Sequence, residues 1–170
     1  LTPNKAGDTP FHLCAAKHQQ TTCLRHLLTL NPAVLETRNG KGNTPLGVAF
    51  LKRNESVALF LIDKGADFSV TVIDDSDNNN NQDKPKEYTV YDLAMTHRME
   101  SVLYVILNHP NRDLRAALRA AIKNNQLSRA KHLLQTVQTT SREEASRLAL
   151  LLISSAPNPS NHDQTSLLTL

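Results

Sequence analysis

The chain has 170 residues, of which 39% are hydrophobic and 21% are charged, with a formal net charge of +3 at pH 7. This balance is typical of a folded domain or a short stack of repeats and argues against a disordered chain. Aromatic residues make up only 4% and tryptophan is absent, which disfavours sites that stack sugars or single-stranded nucleic acid on aromatic rings. The longest apolar runs, Val102–Leu107 and Leu148–Ile153, are far shorter than the roughly 20 residues that cross a bilayer.

The first predicted elements begin at two Thr-Pro pairs, Thr9-Pro10 and Thr44-Pro45, which lie about 35 residues apart, the distance of a structural repeat. Residues 7–15 and 42–50 both read Gly-x-Thr-Pro-apolar-x-apolar-small. A threonine hydroxyl can cap the first turn of a helix, and proline suits the first helical position. Each pair therefore predicts the start of a helix.

A second helix follows each start. The apolar residues after both starts recur at helical spacing: Leu24, Leu27 and Leu28 in the first copy, and Val57, Phe60, Leu61 and Ile62 in the second. The second copy should stop at Gly65-Ala66-Asp67, and the first ends at Asn31-Pro32. Each copy therefore predicts two helices joined by a turn and followed by a loop.

These segments resemble ankyrin repeats, whose motif is Thr-Pro-Leu-His-x-Ala with a period of about 33 residues. Residues 9–15 (TPFHLCA) are a near match. A looser third copy opens at Thr89–Ala94, and a fourth is indicated because Leu118 precedes Leu133-Leu134 by the interval that separates Leu46 from Leu61-Ile62. The resemblance implies an all-α fold, an ankyrin-repeat solenoid of stacked antiparallel helix pairs with short β-hairpin-like fingers.

The predicted solenoid covers residues 1–138 and is followed by a capping helix and the start of a further repeat over 139–170. Residues 74–85, rich in Asn and Asp, should form a flexible insert between the second and third copies. Ser141–Glu144 matches a capping box, so a helix is predicted over roughly 141–153. The four copies span residues 4–36, 37–73, 84–110 and 111–138.

Several potential metal ligands or catalytic groups lie close together near the beginning of the chain: His12, Cys14, His18, Cys23 and His26. Cys14 and His18 are spaced to share a helix face as zinc ligands, and a Cys-His pair could form a nucleophile. The resemblance explains them differently, with His12 forming hydrogen bonds within and between repeats and Cys14 replacing a small buried residue. We therefore expect no metal, no cofactor and no catalytic residue.

The two cysteines and the start of the chain also indicate a cellular compartment. Two cysteines do not make a disulfide framework, and nothing near Leu1 resembles a signal peptide. A reducing compartment, the cytoplasm, is therefore expected. Because residue 1 is Leu rather than Met, the chain is interpreted as a fragment from which a targeting segment could have been removed.

Positive charge is concentrated near the end of the predicted solenoid. Arg112, Arg115, Arg119 and Lys123 are three or four residues apart, so they line one face of a helix while Leu114, Leu118 and Ile122 face the core. A solvated surface is the commoner interpretation of such a pattern. The alternative is an anion-binding stripe for an acidic protein, a phosphoinositide headgroup or nucleic acid, of which nucleic acid is least favoured because no aromatic residues alternate with the charges.

The resemblance implies a non-catalytic module, expected to be monomeric, that binds another protein of unknown identity through its concave surface of fingertips and first helices. The predicted partner-binding residues are Arg38, Asn39, Lys41, Asn43, Lys52, Arg53, Asp74, Asp75, His97 and Arg98. One alternative is that the chain is the targeting arm of a larger enzyme or of a secreted bacterial effector acting in host cytosol. Another is a metal-dependent or thiol enzyme built on the Cys/His cluster.

Overall fold

The computed structural model describes residues 2–17, 21–75 and 85–140. The predicted helix over 141–153, His18 and residues 76–84 of the insert lie outside these ranges. The described chain is mostly helical with one two-stranded antiparallel sheet, as predicted. Its elements are α1 (Pro10–Ala16), α2 (Thr21–Leu30), a 3₁₀ helix (Pro32–Glu36), α3 (Pro45–Leu51), α4 (Glu55–Asp63), β1 (Thr71–Asp74), β2 (Lys86–Thr89), α5 (Val90–Thr96), α6 (Glu100–Asn108), α7 (Leu114–Lys123) and α8 (Leu127–Thr140).

The chain divides into two compact units, Leu1–Pro110 and Asn111–Leu170. In the first unit the helices form two layers, because α3 contacts both α1 and α5 while α4 contacts both α2 and α6. The first helix of each pair therefore packs on the first helices of its neighbours, and the second helix on the second. In the second unit, α7 packs against α8. None of the described helices combines the length and hydropathy needed to cross a membrane.

The helix starts confirm the interpretation of the threonines, which cap three helices in different ways. Thr44 accepts a hydrogen bond from the Gly47 N–H at 3.2 Å. Thr89 forms a capping box with Asp92, whose carboxylate accepts from the Thr89 N–H at 3.0 Å. In α1 the ring of His12 takes the place of that carboxylate. The third copy thus keeps the cap although its Pro and His are absent.

The same turn joins the two helices in the second, third and fourth copies. At its centre stand Arg53, Arg98 and Asn125, with φ of 55°, 54° and 54° respectively. The next amide in each turn donates to a carbonyl five residues earlier, as Asn54 does to Ala49 and Gln126 to Ala121, both at 2.8 Å. The turn between α7 and α8 thus has the same geometry as the turns between α3 and α4 and between α5 and α6.

The first copy ends differently from the other copies. After α2 the chain forms a short 3₁₀ helix, Pro32–Glu36, and the Asn31 side chain caps it by accepting from the Ala33 N–H at 3.0 Å. Val34 in this helix is buried. The Asn31-Pro32 pair correctly predicted the end of α2 but not the 3₁₀ helix.

The core consists of equivalent apolar residues from successive copies. The residue after the first helical position is Phe11, Leu46 or Tyr91, and each is at most 2% exposed. The second helices contribute further fully buried side chains, among them Leu24, Leu61 and Ile106. Burial of one such side chain contributes about 1.5–3 kcal/mol to folding. This interior, which repeats from copy to copy, holds the two helix layers together.

The strands β1 and β2 correct one predicted boundary. They pair in antiparallel register from Thr71 opposite Thr89 to Asp74 opposite Lys86. Asp74 was assigned to the flexible insert over 74–85, but it is the last residue of β1 and its backbone is held by the ladder. The insert is thus anchored at both ends by a β-hairpin finger.

The two cysteines also correct the sequence analysis, which expected them to be free. Cys14 near the end of α1 and Cys23 in the first turn of α2 form a disulfide, with their Cα atoms 6.4 Å apart. The close approach of the two helices of the first pair explains the bond, because it brings residues nine positions apart within bonding reach. Cytoplasmic location remains a prediction, and disulfides persist mainly in oxidising compartments.

Replacing both cysteines by serine should lower the free energy of unfolding by about 2–3 kcal/mol, because the disulfide restricts the unfolded chain. Urea denaturation of the wild type, with and without reductant, would measure this. Reductant should lower the stability of the wild type and leave the double variant unchanged. Reaction of two thiols per chain in unreduced, denatured protein would contradict the disulfide.

Candidate functional site

A groove of ≈ 340 Å³ lies between the fingers and the first helices of the first unit. Its walls combine both charge signs with a few apolar side chains. It is lined by Asp8, His12, Leu13, Ala16, Asn39, Lys41, Asn43, Val48, Leu51, Lys52, Asp74 and Asp75. Six of the predicted partner-binding residues are among them: Asn39, Lys41, Asn43, Lys52, Asp74 and Asp75.

Two turns at the edge of this groove are held by the same pattern of hydrogen bonds. The side-chain oxygen of Asn4 accepts from the amides of Ala6 and Asp8, both at 2.9 Å. The oxygen of Asn39 accepts in the same way from Lys41 and Asn43, at 3.1 and 3.0 Å. These turns, residues 4–8 and 39–43, are called the first and second fingers below, and the β1–β2 hairpin is called the third.

The first and second fingers touch through their backbones. The Gly40 N–H donates to the Ala6 carbonyl at 3.2 Å. Gly7 has φ +77°, and a Cβ added there would lie 2.4 Å from the Gly40 nitrogen. Glycine is required at residue 7 both for the left-handed conformation and for this close approach. The fingertips are therefore fixed relative to each other.

The residue before each capping threonine ties its finger to the next one. Asp8 accepts a hydrogen bond from the Asn39 side-chain amide at 2.7 Å. Asn43 stands at the equivalent position, and its amide both donates to the Ile73 carbonyl and accepts from the Ile73 N–H, each at 2.7 Å. Asn43 is only 1% exposed. Its side chain joins the second finger to the third, so we assign it no contact with a partner.

His12 links the first and second copies from the floor of the groove. Its Nδ1 lies 2.8 Å from the Thr9 hydroxyl and 3.3 Å from the Thr9 N–H, while its Nε2 lies 3.0 Å from the Asn43 carbonyl. A carbonyl only accepts and a backbone N–H only donates, so this network assigns the neutral tautomer with the proton on Nε2. Protonation of Nδ1 would break the bond from the Thr9 amide.

The pKa of His12 is shifted accordingly. Burial lowers it, although the Asn43 carbonyl and the charge of Asp8 act in the opposite direction. Because the folded pKa lies below the unfolded value of about 6.5, the unfolded chain binds the proton more readily than the folded chain. The stabilisation is complete above the unfolded pKa and is lost as the pH falls through it toward the folded pKa.

An ion pair crosses from the second finger to the third: Lys41 Nζ lies 2.7 Å from an Asp75 carboxylate oxygen. Both side chains are well exposed, so the pair contributes at most about 1 kcal/mol to stability. Lys41 and Asp75 can therefore exchange this bond for contacts with another molecule at little cost. The two opposite charges remain available on the rim of the groove.

Four predicted residues lie outside the groove lining: Arg38, Arg53, His97 and Arg98. Arg38 is exposed beside the second finger, where its guanidinium donates to the Gly42 carbonyl at 2.8 Å. Arg53 and Arg98 are exposed in the turns after the first helices. His97 caps α5, and its Nδ1 lies 3.0 Å from the Phe50 carbonyl.

The environment of His97 is partly buried and positively charged. Burial, and then the nearby charge of Arg53, lowers its pKa, while the Phe50 carbonyl and Asp74 act to raise it. The hydrogen bond to Phe50 connects the end of α5 to the end of α3. It therefore places the two turns that follow these helices side by side.

Besides His12, five groove residues were not predicted from the sequence as functional candidates: Asp8, Leu13, Ala16, Val48 and Leu51. Asp8 could have been found, because it occupies the same repeat position as Asn43. The others lie on or at the ends of α1 and α3, and they read as core residues from periodicity alone. Only the packing of the first helices leaves them facing the groove.

The Cys/His cluster does not assemble a ligand set in the described residues. Both sulfurs belong to the Cys14–Cys23 disulfide, and both ring nitrogens of His12 have hydrogen-bond partners. Within the described ranges, no three His, Cys, Asp or Glu side chains lie close enough together to hold a metal ion. The zinc and thiol hypotheses are therefore not supported by this geometry.

The second unit carries the basic stripe on α7. Arg115, Arg119 and Lys123 are exposed, Arg112 is partly exposed just before the helix, and Leu118 is buried on the opposite face. The predicted separation of charged and apolar faces is therefore present. Binding of an anion to these residues remains a prediction.

Comparison with known proteins identifies a family over part of the chain. A family model described as ankyrin repeats, three copies, matches residues 2–72. Residues 2–72 are ankyrin repeats. No match was found among curated proteins. Similar local geometry is present past the matched segment, since Thr89 caps α5 as Thr44 caps α3, and Arg98 has the same turn conformation as Arg53.

Substituting Gly7 by alanine should lower the free energy of unfolding by about 2–3 kcal/mol, because the new Cβ would meet the Gly40 backbone and also strain the left-handed conformation. Gly65 is the matched control: it has φ +88°, but an added Cβ would have no neighbour within 4 Å. Gly65→Ala should therefore cost only about 1 kcal/mol. Equal losses for the two variants in urea denaturation would argue against the fingertip contact.

Replacing His12 by glutamine should lower the free energy of unfolding by about 1 kcal/mol near neutral pH, because the bond to the Asn43 carbonyl is lost. Glutamine can still accept from the Thr9 N–H in a capping box. The unfolding free energy of the variant should also fall less than that of the wild type when the pH is lowered from about 7.5 to 5.5.

The control for this pH series is His26→Gln, which replaces an exposed histidine on α2. It should keep the pH dependence of the wild type. If His12→Gln kept the full wild-type slope, the buried neutral histidine would not be its source.

Proposed function

We propose that the chain is a non-catalytic module that binds a partner protein at the groove between its fingers and first helices. Ankyrin repeats generally serve as protein–protein interaction modules. The observation that carries the proposal is the groove itself, with Lys41, Lys52, Asp74 and Asp75 on its lining. Charges of both signs on one concave surface favour a partner with a complementary charge pattern, and they give specificity more than affinity.

Rigidity of the fingers supports the same proposal. The second finger is held to the first by the Gly40–Ala6 hydrogen bond and to the third by the amide of Asn43. A surface that is ordered before binding loses little conformational entropy when a partner arrives. The groove can therefore use modest contacts to form a specific complex.

The contacts that we assign to the partner are the exposed charges around the second finger. Lys41 on the second finger and Lys52 at the end of α3 line the groove, and Arg38 lies beside the second finger. Each has a long side chain that can reach a partner without a change in the backbone. Asp74 and Asp75 on the third finger offer the opposite charge.

The alternative of a targeting arm in a larger enzyme or bacterial effector concerns sequence beyond these residues. No contact in the described structure favours it over a binding module. It stays a prediction, as do the cytoplasmic location and the monomeric state.

The test begins with affinity capture from a lysate, using this chain as bait, and identification of a partner that binds it directly after purification. Replacing Arg38, Lys41 and Lys52 together by alanine should raise the dissociation constant at least about tenfold, if roughly 1.4 kcal/mol of binding rests on them. Isothermal titration calorimetry would measure it. An unaltered dissociation constant would contradict the proposed surface.

A matched control removes the same amount of positive charge from the second unit: Arg115, Arg119 and Lys123 are replaced together by alanine. This variant should bind as the wild type does. If it lost affinity while the Arg38/Lys41/Lys52 variant did not, the partner would bind the basic stripe of α7 instead of the groove.

A further inference from the structure

Two of the three equivalent inter-helix turns hold an arginine in the left-handed conformation. Arg53 and Arg98 have φ of 55° and 54°, and the corresponding residue in the fourth copy is Asn125. Asparagine and glycine adopt this conformation at low cost, whereas a longer side chain is disfavoured there. Arginine at residues 53 and 98 is therefore a poor choice for the turn itself.

The two arginine side chains do not compensate for this conformation by packing. Both are exposed, and neither guanidinium forms an ion pair within the described ranges. Strained backbone conformations that persist in a folded protein cluster at functional sites. The reason for arginine at these positions therefore lies in what its side chain can bind and not in the conformation of the turn.

The two turns are neighbours in the first unit. The ring of His97, adjacent to Arg98, binds the Phe50 carbonyl just before Arg53. On the other side of the turns, Glu55 accepts a hydrogen bond from the Ser101 N–H at 2.9 Å. These two bonds join the turn regions of adjacent copies, so we take the arginines to be about one helix spacing apart, roughly 9 Å.

The charge around the arginines is not uniform. Lys17 and Lys52 add positive charge at the ends of the first helices. Glu55 and Glu100 add negative charge at the starts of the second helices, two residues after the arginines. A continuous polyanion, such as a nucleic-acid backbone or an anionic lipid surface, would meet the two glutamates as well. Separate carboxylates placed over the arginines would avoid them.

We propose that Arg53 and Arg98 each bind one carboxylate of a single extended acidic segment of the partner protein. This inference rests on the proposed function and names the partner's chemistry. A guanidinium holds a carboxylate through two parallel hydrogen bonds, which suits arginine better than lysine. A chain in the extended polyproline II conformation advances about 3.1 Å per residue and makes one turn every three residues. Acidic residues three positions apart then project from the same side, about 9 Å apart, and match the spacing of the two turns.

The experiment uses a fluorescein-labelled peptide with glutamate at every third position and serine between, in fluorescence anisotropy at low ionic strength. The double variant Arg53→Gly/Arg98→Gly removes both guanidinium groups and relieves both left-handed turns. It should raise the dissociation constant of the peptide about tenfold or more. Its urea midpoint should equal or exceed that of the wild type, because glycine suits the turns.

Asn125→Gly is the backbone control, because it makes the same change in the equivalent turn without removing a charge. It should bind the peptide as the wild type does. The conservative variant Arg53→Lys/Arg98→Lys should recover part of the affinity that the glycine variant loses, since it restores charge but not the paired hydrogen bonds.

Several outcomes would overturn the inference. One is a wild-type chain that does not bind the peptide, and another is a glycine variant that binds it equally well. A lower urea midpoint in the glycine variant would assign the arginines to folding. Vesicles containing phosphatidylserine that bound more tightly than the peptide, with the same dependence on the arginines, would assign the site to a lipid surface.

The failure of this inference is distinguishable from failure of the proposed function. If the captured partner lost affinity with the Arg38/Lys41/Lys52 variant while the peptide did not bind, the groove would stand and the acidic segment would be excluded. If the peptide bound as expected but the captured partner ignored all these variants, the proposed groove would be excluded as that partner's site.

Discussion

The arrangement of the first unit depends on Asn43, the buried residue at which neighbouring copies meet. Its carbonyl lies 3.0 Å from His12 Nε2, and its side-chain amide forms two hydrogen bonds with Ile73. One residue thus connects the first helix of one copy to the finger of the next and the finger after it. Satisfying these polar groups inside the protein requires the copies to stack in one register, because an unpaired buried amide is costly. This register sets the positions of the side chains that line the groove.

Much of the fold could be predicted from the sequence because it is set locally. Thr9, Thr44 and Thr89 mark helix starts through hydrogen bonds to residues three positions away, and such local bonds appear in the sequence as a fixed interval between residues. The shared inter-helix turn is less visible, since Arg53 and Arg98 have no propensity for the left-handed conformation. The disulfide escaped prediction because it depends on how the two helices of the first pair approach each other, which spacing alone does not specify.

The candidate site was predicted less completely, for reasons of burial. Lys41 and Lys52, predicted from the sequence to bind a partner, line the groove, because long charged side chains on a concave surface remain exposed. Asn43 reads as an exposed loop residue, yet the carbonyl and amide of Ile73 occupy its side chain. Leu13 and Val48 read as core, although they face the groove. Exposure at these positions is decided by contacts between copies, which a single repeat motif does not contain.

The hydrogen bonds between copies have a consequence for how this surface can change. Many end on main-chain groups: the ring of His97 binds the Phe50 carbonyl, and the side-chain amide of Asn54 donates to the carbonyls of Ala15 and Lys17. Every residue supplies a carbonyl whatever its side chain, so the residues that provide these acceptors can be exchanged without breaking the bonds. The outward side chains are then free to diversify between descendants of one ancestral repeat array. New partners can be acquired by surface substitution while the scaffold is inherited unchanged.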